Sequence, residues 1–294
     1  MKSLLLTGAT GFLGSALARH WVRAGYQVSA LVRPTSSRRR IEDVGDALQF
    51  YRCGSDEEVF SAIATVAPDF IVHTACSYGR AGETLVDIFD ANVRLGLLLL
   101  EGARLLDKRV AFLNTGTILD PAVSSYAMSK QSFSAVGALQ ARQGGGRVKF
   151  INVALQHMYG PGDDRSKFTT HVISSCLANV ERLNLTSGVQ ERDFVFIDDV
   201  VSAYDTIISN MTSLGDGEHI EVGSGEAVPV RSFVELVREL TNSRTHLEFG
   251  AVPYRANEAM LFQADINRMR SLGWAPATSL EMGIRKTIDK DRVE

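Results

Sequence analysis

The chain has 294 residues, 45% of them hydrophobic and 22% charged, with a formal net charge of −3. This composition fits a folded globular protein with one large domain or two unequal ones. It excludes the basic footprint of a nucleic-acid binder, and no segment reaches the roughly 18 apolar residues of a membrane span. In chain order, the apolar run Ser3-Leu4-Leu5-Leu6 leads into Thr7-Gly8-Ala9-Thr10-Gly11-Phe12-Leu13-Gly14 and then a helix-like segment over 14–24. Glycine permits a tight turn and lets the backbone approach a pyrophosphate with no Cβ in the way. The following helix offers free N–H groups and a positive dipole end to phosphate. The spacing is Gly-x-x-Gly-x-x-Gly, and its place between a strand and a helix separates it from an ordinary glycine-rich turn.

Apolar, strand-like runs follow the first, giving six over 4–7, 28–33, 48–52, 70–74, 110–114 and 148–154. Helical patterns fall near 14–24, 56–66, 84–106 and 125–143, and Gly144-Gly145-Gly146 supplies a stop for the last. Strands alternating with helices imply βαβ units and a parallel sheet covered on both faces. The fold class expected is therefore α/β, a doubly wound Rossmann sheet. After about residue 155 the alternation breaks at the turn cluster Tyr159-Gly160-Pro161-Gly162-Asp163-Asp164. Residues 1–155 read as a dinucleotide-binding domain. Residues 156–294 read as a smaller, mixed α/β substrate lobe, partly interleaved with the first.

Three cysteines, Cys53, Cys76 and Cys176, have the spacing of neither a zinc site nor a disulfide framework. No metal is expected, and a reducing cytoplasm is the expected compartment. The N-terminal run is too short for a signal peptide. The basic run Arg38-Arg39-Arg40 is too short to argue for DNA or a membrane surface.

Ser125-Tyr126-Ala127-Met128-Ser129-Lys130 carries the second signal. Tyr126 and Lys130 are four apart on a predicted helix and share one face. A nearby ammonium favours phenolate and lowers a tyrosine pKa, which makes Tyr126 a candidate acid/base. Taken alone the pair occurs often by chance. Here it follows a glycine-rich loop and the strand end Asn114-Thr115-Gly116-Thr117.

With these residues in hand, the chain resembles an extended short-chain dehydrogenase/reductase, the NAD-dependent epimerase/dehydratase family, over nearly all its length. Residues 7–14 resemble the family's cofactor loop, with Gly8, Thr10, Gly11, Phe12, Leu13 and Gly14 as cofactor contacts. Val72-His73-Thr74-Ala75-Cys76 resembles the end of the fourth strand beside the cofactor, which brings in Thr74 and Ala75. Asn92 resembles the family's helix Asn. Tyr159-Gly160-Pro161-Gly162 resembles the segment after the sixth strand. Residues 192–200 resemble the stretch that meets the nucleotide diphosphate, and Asp265 to Trp274 the C-terminal closing motif. The resemblance implies that Tyr126 exchanges a proton with a sugar oxygen while hydride moves to or from the nicotinamide. Lys130 would lower the Tyr126 pKa and hold the nicotinamide ribose. A strand-end hydroxyl would bind the same sugar oxygen, with Thr115 the first candidate and Thr117 the alternative. Tyr126 and Lys130 would thus also contact the cofactor.

The departures are informative. The family's sugar dehydratases carry Asp-Glu after the strand threonine, where this chain has Gly116-Thr117, so dehydration is disfavoured. NAD-preferring members end the second strand on a carboxylate. This chain has Leu31-Val32-Arg33-Pro34-Thr35-Ser36-Ser37-Arg38, so Arg33, Ser36 and Arg38 are expected to hold a 2′-phosphate and NADP is favoured over NAD. The alternative is that Arg33 stacks on adenine. Cys53-Gly54-Ser55-Asp56 replaces the family's adenine-binding Asp, leaving Asp56 as a helix N-cap. The short turn Asp120-Pro121-Ala122-Val123 makes the excursion before Tyr126 brief. Together, residues 114–117, 154–159 and 166–168 resemble the CDP-sugar ketoreductases that make paratose and abequose. His157 is a candidate substrate contact or a structural histidine. Arg192 and Arg255 are candidate diphosphate ligands. Asp198 and Asp199 fit helix capping better than a metal site.

The expected function is NADP-dependent reduction of a nucleotide-activated 4-keto-6-deoxy sugar. The alternatives are a nucleotide-sugar epimerase with tightly bound NAD and a catalytically silent dinucleotide sensor or scaffold. The expected partners are a nucleotide sugar and a second copy of the chain, with no nucleic acid and no membrane. The homodimer would form through the helices over 84–106 and 125–143, where Leu95 and Leu97 to Leu100 give more apolar surface than one buried face needs.

Overall fold

The computed structural model describes residues 2–143, 145–255 and 258–292. Strand β1 (Ser3–Thr7) carries three consecutive leucines with no exposed surface. An uninterrupted apolar strand belongs at the centre of a sheet covered on both faces. Helix α1 (Phe12–Arg23) turns Leu13, Leu17 and Trp21 inward, one turn apart, and ends with His20 and Arg23 against its negative dipole end. Then come β2 (Gln27–Val32), β3 (Gln49–Arg52), α2 (Asp56–Val66) and β4 (Phe70–His73). The cap of α2 is Ser55, not Asp56: the Ser55 hydroxyl accepts from the Glu58 N–H at 3.3 Å. Asp56 is instead drawn to Arg94, at 2.6 Å.

The expected single helix over 84–106 is three pieces: α3 (Leu85–Phe89), a π-helical turn over Asp90–Arg94, and α4 (Leu95–Arg104). Thr84 and Asp87 form a capping box at its start. The π turn accommodates Asn92, whose side chain is fixed from outside the helix: Oδ1 accepts from the Ser77 N–H at 2.8 Å, and Nδ2 donates to the Ser77 carbonyl and the Ser129 hydroxyl, each at 2.9 Å. Next are β5 (Val110–Thr117), α5 (Ser125–Gln143) and β6 (Val148–Leu155). Of the expected glycine stop, Gly144 lies outside the described residues, while Gly145 and Gly146 adopt positive φ.

The second half contains β7 (His157–Tyr159), α6 (Phe168–Leu177), β8 (Arg182–Leu185), β9 (Glu191–Phe196), α7 (Ile197–Ser209), β10 (Glu218–Val222), β11 (Ala227–Pro229) and α8 (Val230–Thr241). It closes with β12 (His246–Phe249), β13 (Leu261–Phe262), α9 (Asn267–Ser271) and α10 (Leu280–Asp291).

Seven strands form one sheet in the order β10-β6-β5-β4-β1-β2-β3. The strand order reverses at β1, with β2 on one side and β4 on the other, so the β1, β4 and β5 ends converge there. In open α/β sheets this switch point is where ligands bind. Phe112, Phe133 and Phe150 pack in the core, with rings 5.4–5.9 Å apart. The chain divides into two compact units: Met1–Ala154 with Ile207–Ile220, and Leu155–Thr206 with Glu221–Glu294. In the second, β7, β11 and β13 all pair with β9, and β12 pairs in parallel with β8. Among the described residues no helix is long and apolar enough to cross a membrane.

Candidate active site

The glycine loop is built around close backbone contacts. Gly8 has φ +71°, and a Cβ there would lie 2.6 Å from both the Ala75 nitrogen and the Thr74 hydroxyl. A Cβ on Gly14 would lie 2.0 Å from the Gly8 carbonyl oxygen. Gly11 is the exposed N-cap of α1, its own N–H tied back to the Gly8 carbonyl at 2.9 Å. No side chain caps α1, and its first turn carries no carboxylate. The helix end is thus left to an external anion. Thr10 and Phe12 are partly buried and Leu13 is buried. Thr74 is fixed through its hydroxyl to the Thr7 carbonyl at 2.8 Å, and the Ala75 N–H reaches the Thr7 hydroxyl at 3.3 Å. Thr7 also bonds His73 Nδ1 at 2.8 Å. Burial, and then the Lys130 charge, pull the His73 pKa down to about 3, so its ring is neutral.

Tyr126 lies in the first turn of α5 and Lys130 one turn later. The Tyr126 phenol shares hydrogen bonds with the hydroxyls of Thr117 and Tyr78, and its ring packs 4.8 Å from that of Tyr78. Burial pushes its pKa up, with the Cys76 thiol adding to the rise, while Thr117, Arg80 and Tyr78 pull the other way. The expected lowering by Lys130 does not set this proton. Desolvation dominates, and the phenol stays protonated. Lys130 is 2% exposed, its Nζ has no hydrogen-bond partner among the described residues, and burial lowers its pKa.

Thr115 and Thr117 are two residues apart on β5 and share a face. Thr117, the alternative in the sequence reading, is the one that bonds Tyr126. It lies nearer the short excursion into α5, which Gln131 pins by donating to the Thr117 and Leu119 carbonyls at 2.9 and 3.1 Å. Gly116 faces the other way, where a Cβ would lie 2.6 Å from Asn152 Oδ1. Asn92 braces α5 against the chain after β4 through its bonds to Ser77 and Ser129.

At the end of β2, Arg33 is exposed and Ser36 partly buried, the Ser36 N–H turning back to the Arg33 carbonyl at 3.0 Å. The Arg38 guanidinium stacks 4.0 Å over the Phe50 ring.

In the second unit, Arg192 on β9 does not stand open. Its guanidinium pairs with Glu258, donates to the Glu191 carbonyl at 2.7 Å and lies 4.9 Å over the Phe262 ring. Arg255 is exposed three residues before Glu258. His157 sits between Phe194 and Phe262, at ring distances of 6.0 and 6.2 Å. Burial, with Arg192 and Lys167 nearby, lowers its pKa to about 4. It is a neutral, packed ring. Asp198 and Asp199 lie in the first turn of α7, but Asp199 accepts from the Ala277 and Thr278 N–H groups at 2.9 and 3.1 Å, so its carboxylate holds the segment before α10, and Asp198 lies 3.7 Å from Lys286.

The family model for the NAD dependent epimerase/dehydratase family matches residues 4–223. The chain belongs to this family. CDP-abequose synthase of Salmonella muenchen is 30% identical over 293 residues, covering 98% of this chain and 97% of that protein. CDP-abequose synthase of Salmonella typhimurium is 29% identical over 299 residues, with the same coverage. The crystal structure of UDP-glucose 4-epimerase from Thermotoga maritima with UDP-glucose superposes with a TM-score of 0.86 at 22% identity, covering 99% of both chains. The chain is therefore an NAD(P)-dependent, nucleotide-sugar-modifying enzyme of the extended short-chain dehydrogenase/reductase type.

The residues fit such a cofactor. Gly8 and Gly14 let the loop close tightly on Thr74, Ala75 and its own backbone, the α1 N-terminus carries no competing carboxylate in its first turn, and the buried Lys130 Nζ has no hydrogen-bond partner among the described residues. Sequence reasoning missed Tyr78 and Arg80, which act on the Tyr126 phenol, and gave Cys76 only as part of the strand-end segment. The available signal was their place after the C-terminal end of a parallel strand, where such sheets put their sites.

Proposed function

We propose that the protein reduces the 4-keto group of a nucleotide-activated 6-deoxy sugar, with NADPH as the hydride source and Tyr126 as the general acid. The observation that carries this reading is a Tyr126 phenol kept protonated by burial and bonded to Thr117, on a strand end with Gly116-Thr117 and no carboxylate. Reducing a ketone needs a proton for the oxygen that becomes a hydroxyl, and a protonated phenol is ready to give one. When bound, the dinucleotide supplies the hydride. Tyr126 donates its O–H proton to the carbonyl oxygen. Thr115, on the same face of β5 as Thr117, donates a hydrogen bond to that oxygen. Thr117 stabilises the phenolate left on Tyr126, which regains its proton from solvent. The Lys130 ammonium holds the ribose hydroxyls and offsets the phenolate charge. Arg192 and Arg255 bind the diphosphate of the substrate. Near-full-length similarity to CDP-abequose synthases supports a cytidine nucleotide sugar.

Similarity to UDP-glucose 4-epimerases supports a second reading, epimerisation with retained NAD. Assays with CDP-, UDP- and dTDP-linked 4-keto-6-deoxy sugars separate the two. The reductase consumes NADPH stoichiometrically. Tyr126→Phe should lower its turnover by at least about a hundredfold while keeping cofactor affinity. Wild-type turnover in Tyr126→Phe would remove the mechanism. Tight, non-exchanging NAD with interconversion of sugar epimers would establish the epimerase instead.

A further inference from the structure

Arg192 is an unusual anchor for a ligand because the chain has already given it an anion. Its side chain is 7% exposed and pairs with the Glu258 carboxylate, itself 23% exposed. A carboxylate and a phosphate present the same two-oxygen edge to a guanidinium fork, so they compete for the same donors. Both ends of the segment bearing Glu258 are fastened. Tyr254 donates to Gln190 Oε1 at 3.0 Å and accepts from the Val189 N–H at 3.3 Å, and the Glu191 N–H donates to the Met260 carbonyl at 2.7 Å. Glu258 is thereby held over Arg192 from the same short stretch that carries Arg255.

We propose that Glu258 is an internal competitor for the substrate's diphosphate and sets how tightly the nucleotide is held. This rests on the nucleotide-sugar reading of Arg192 given above. With no nucleotide bound, Glu258 neutralises a buried guanidinium that would otherwise be uncompensated. An arriving diphosphate must displace Glu258 or sit beside its charge, and either lowers affinity. The benefit lies in turnover. Substrate and product carry the same nucleotide, so contacts to it are equal before and after reaction and cannot speed the chemical step. An overly tight anchor would instead slow product release. Glu258 keeps that anchor reversible.

The test is calorimetric binding of CDP, UDP and GDP to the wild type, Glu258→Gln, Arg192→Gln and the double variant, with NADPH turnover measured alongside. Glu258→Gln is expected to bind its preferred diphosphate roughly ten- to a hundredfold more tightly, the scale of one charge-assisted contact. The gain should vanish in the Arg192→Gln background. KM and kcat should fall together in Glu258→Gln as product release slows. Thermal melting with and without CDP checks folding, and the nucleotide should raise the melting temperature more in Glu258→Gln than in the wild type. Measurable wild-type binding that Glu258→Gln leaves unchanged or weakens overturns the competitor and leaves the substrate class standing. If none of the three diphosphates binds any variant while dinucleotide binding persists, the nucleotide-sugar reading falls and the competitor with it.

Discussion

Replacing Gly14 by alanine tests the loop geometry directly. The added methyl would lie 2.0 Å from the Gly8 carbonyl oxygen, 2.6 Å from its carbon and 2.9 Å from the Ala9 nitrogen. All three are backbone atoms, so no side chain can swing away. Reaching an ordinary 3.4 Å contact requires α1 and the loop to part by about 1.4 Å, the difference between 3.4 and 2.0 Å. Overpacking of this kind destabilises by about 1–3 kcal/mol, and more when the backbone must move. Gly11→Ala is the control. Gly11 is exposed at φ −84°, which alanine accepts, and its Cβ would come only to 3.2 Å of the Gly8 oxygen. Urea unfolding without cofactor should therefore lower the midpoint in Gly14→Ala and leave Gly11→Ala within about 0.5 kcal/mol of wild type. Dinucleotide titration should show weakened binding in both, because Gly11 caps the helix end that faces the phosphates. An unchanged midpoint in Gly14→Ala, or equal destabilisation of both variants, would refute the argument.

Three further outcomes are expected. Arg33→Asp should reverse a preference for NADPH over NADH, removing a contact worth roughly 1.5–3 kcal/mol, or about ten- to a hundredfold in affinity; titration with both cofactors checks it. Light scattering at micromolar concentration should show twice the 32.1 kDa chain mass. Glutamate in place of Leu97 and Val136, both 36% exposed beside a recess between α4 and α5, should return a monomer. Stability should fall with acid between pH 6.5 and about 3, because the unfolded chain protonates His73 across that range while the folded chain does not. Above pH 6.5 both states leave the ring neutral and its contribution is fully present. His73→Gln should make the acid limb of a melting-temperature profile shallower, and an identical slope would contradict the assignment.

How much of this could be read in the sequence follows from how local each cause is. β1 was legible because three leucines in a row suit only a strand buried on both faces. α5 was legible because its start lies in a short polar turn and its pattern runs unbroken to Gln143. The π turn over 90–94 was not, since it depends on Asn92 meeting Ser77 and Ser129, one behind it and one far ahead. The α2 cap went to Ser55 because Asp56 had a remote partner in Arg94. At the site, Tyr126 and Lys130 were legible as a spacing. The state of the Tyr126 proton was not, because the burial that sets it is a property of the fold. The Arg192–Glu258 pair joins residues 66 apart, and no local pattern announces it.

The discontinuity of the first unit has a consequence for how the chain is made. The strand that flanks β6 is β10, whose residues emerge from the ribosome more than sixty positions after β6 ends. Until then the buried strand Val148–Leu155 presents an unpaired row of N–H and C=O groups. Such an edge is a template for pairing with another chain. Nascent chains stalled before residue 218, or fragments ending near Ala154, would therefore be the aggregation-prone species. A chain released whole covers the β6 edge with β10.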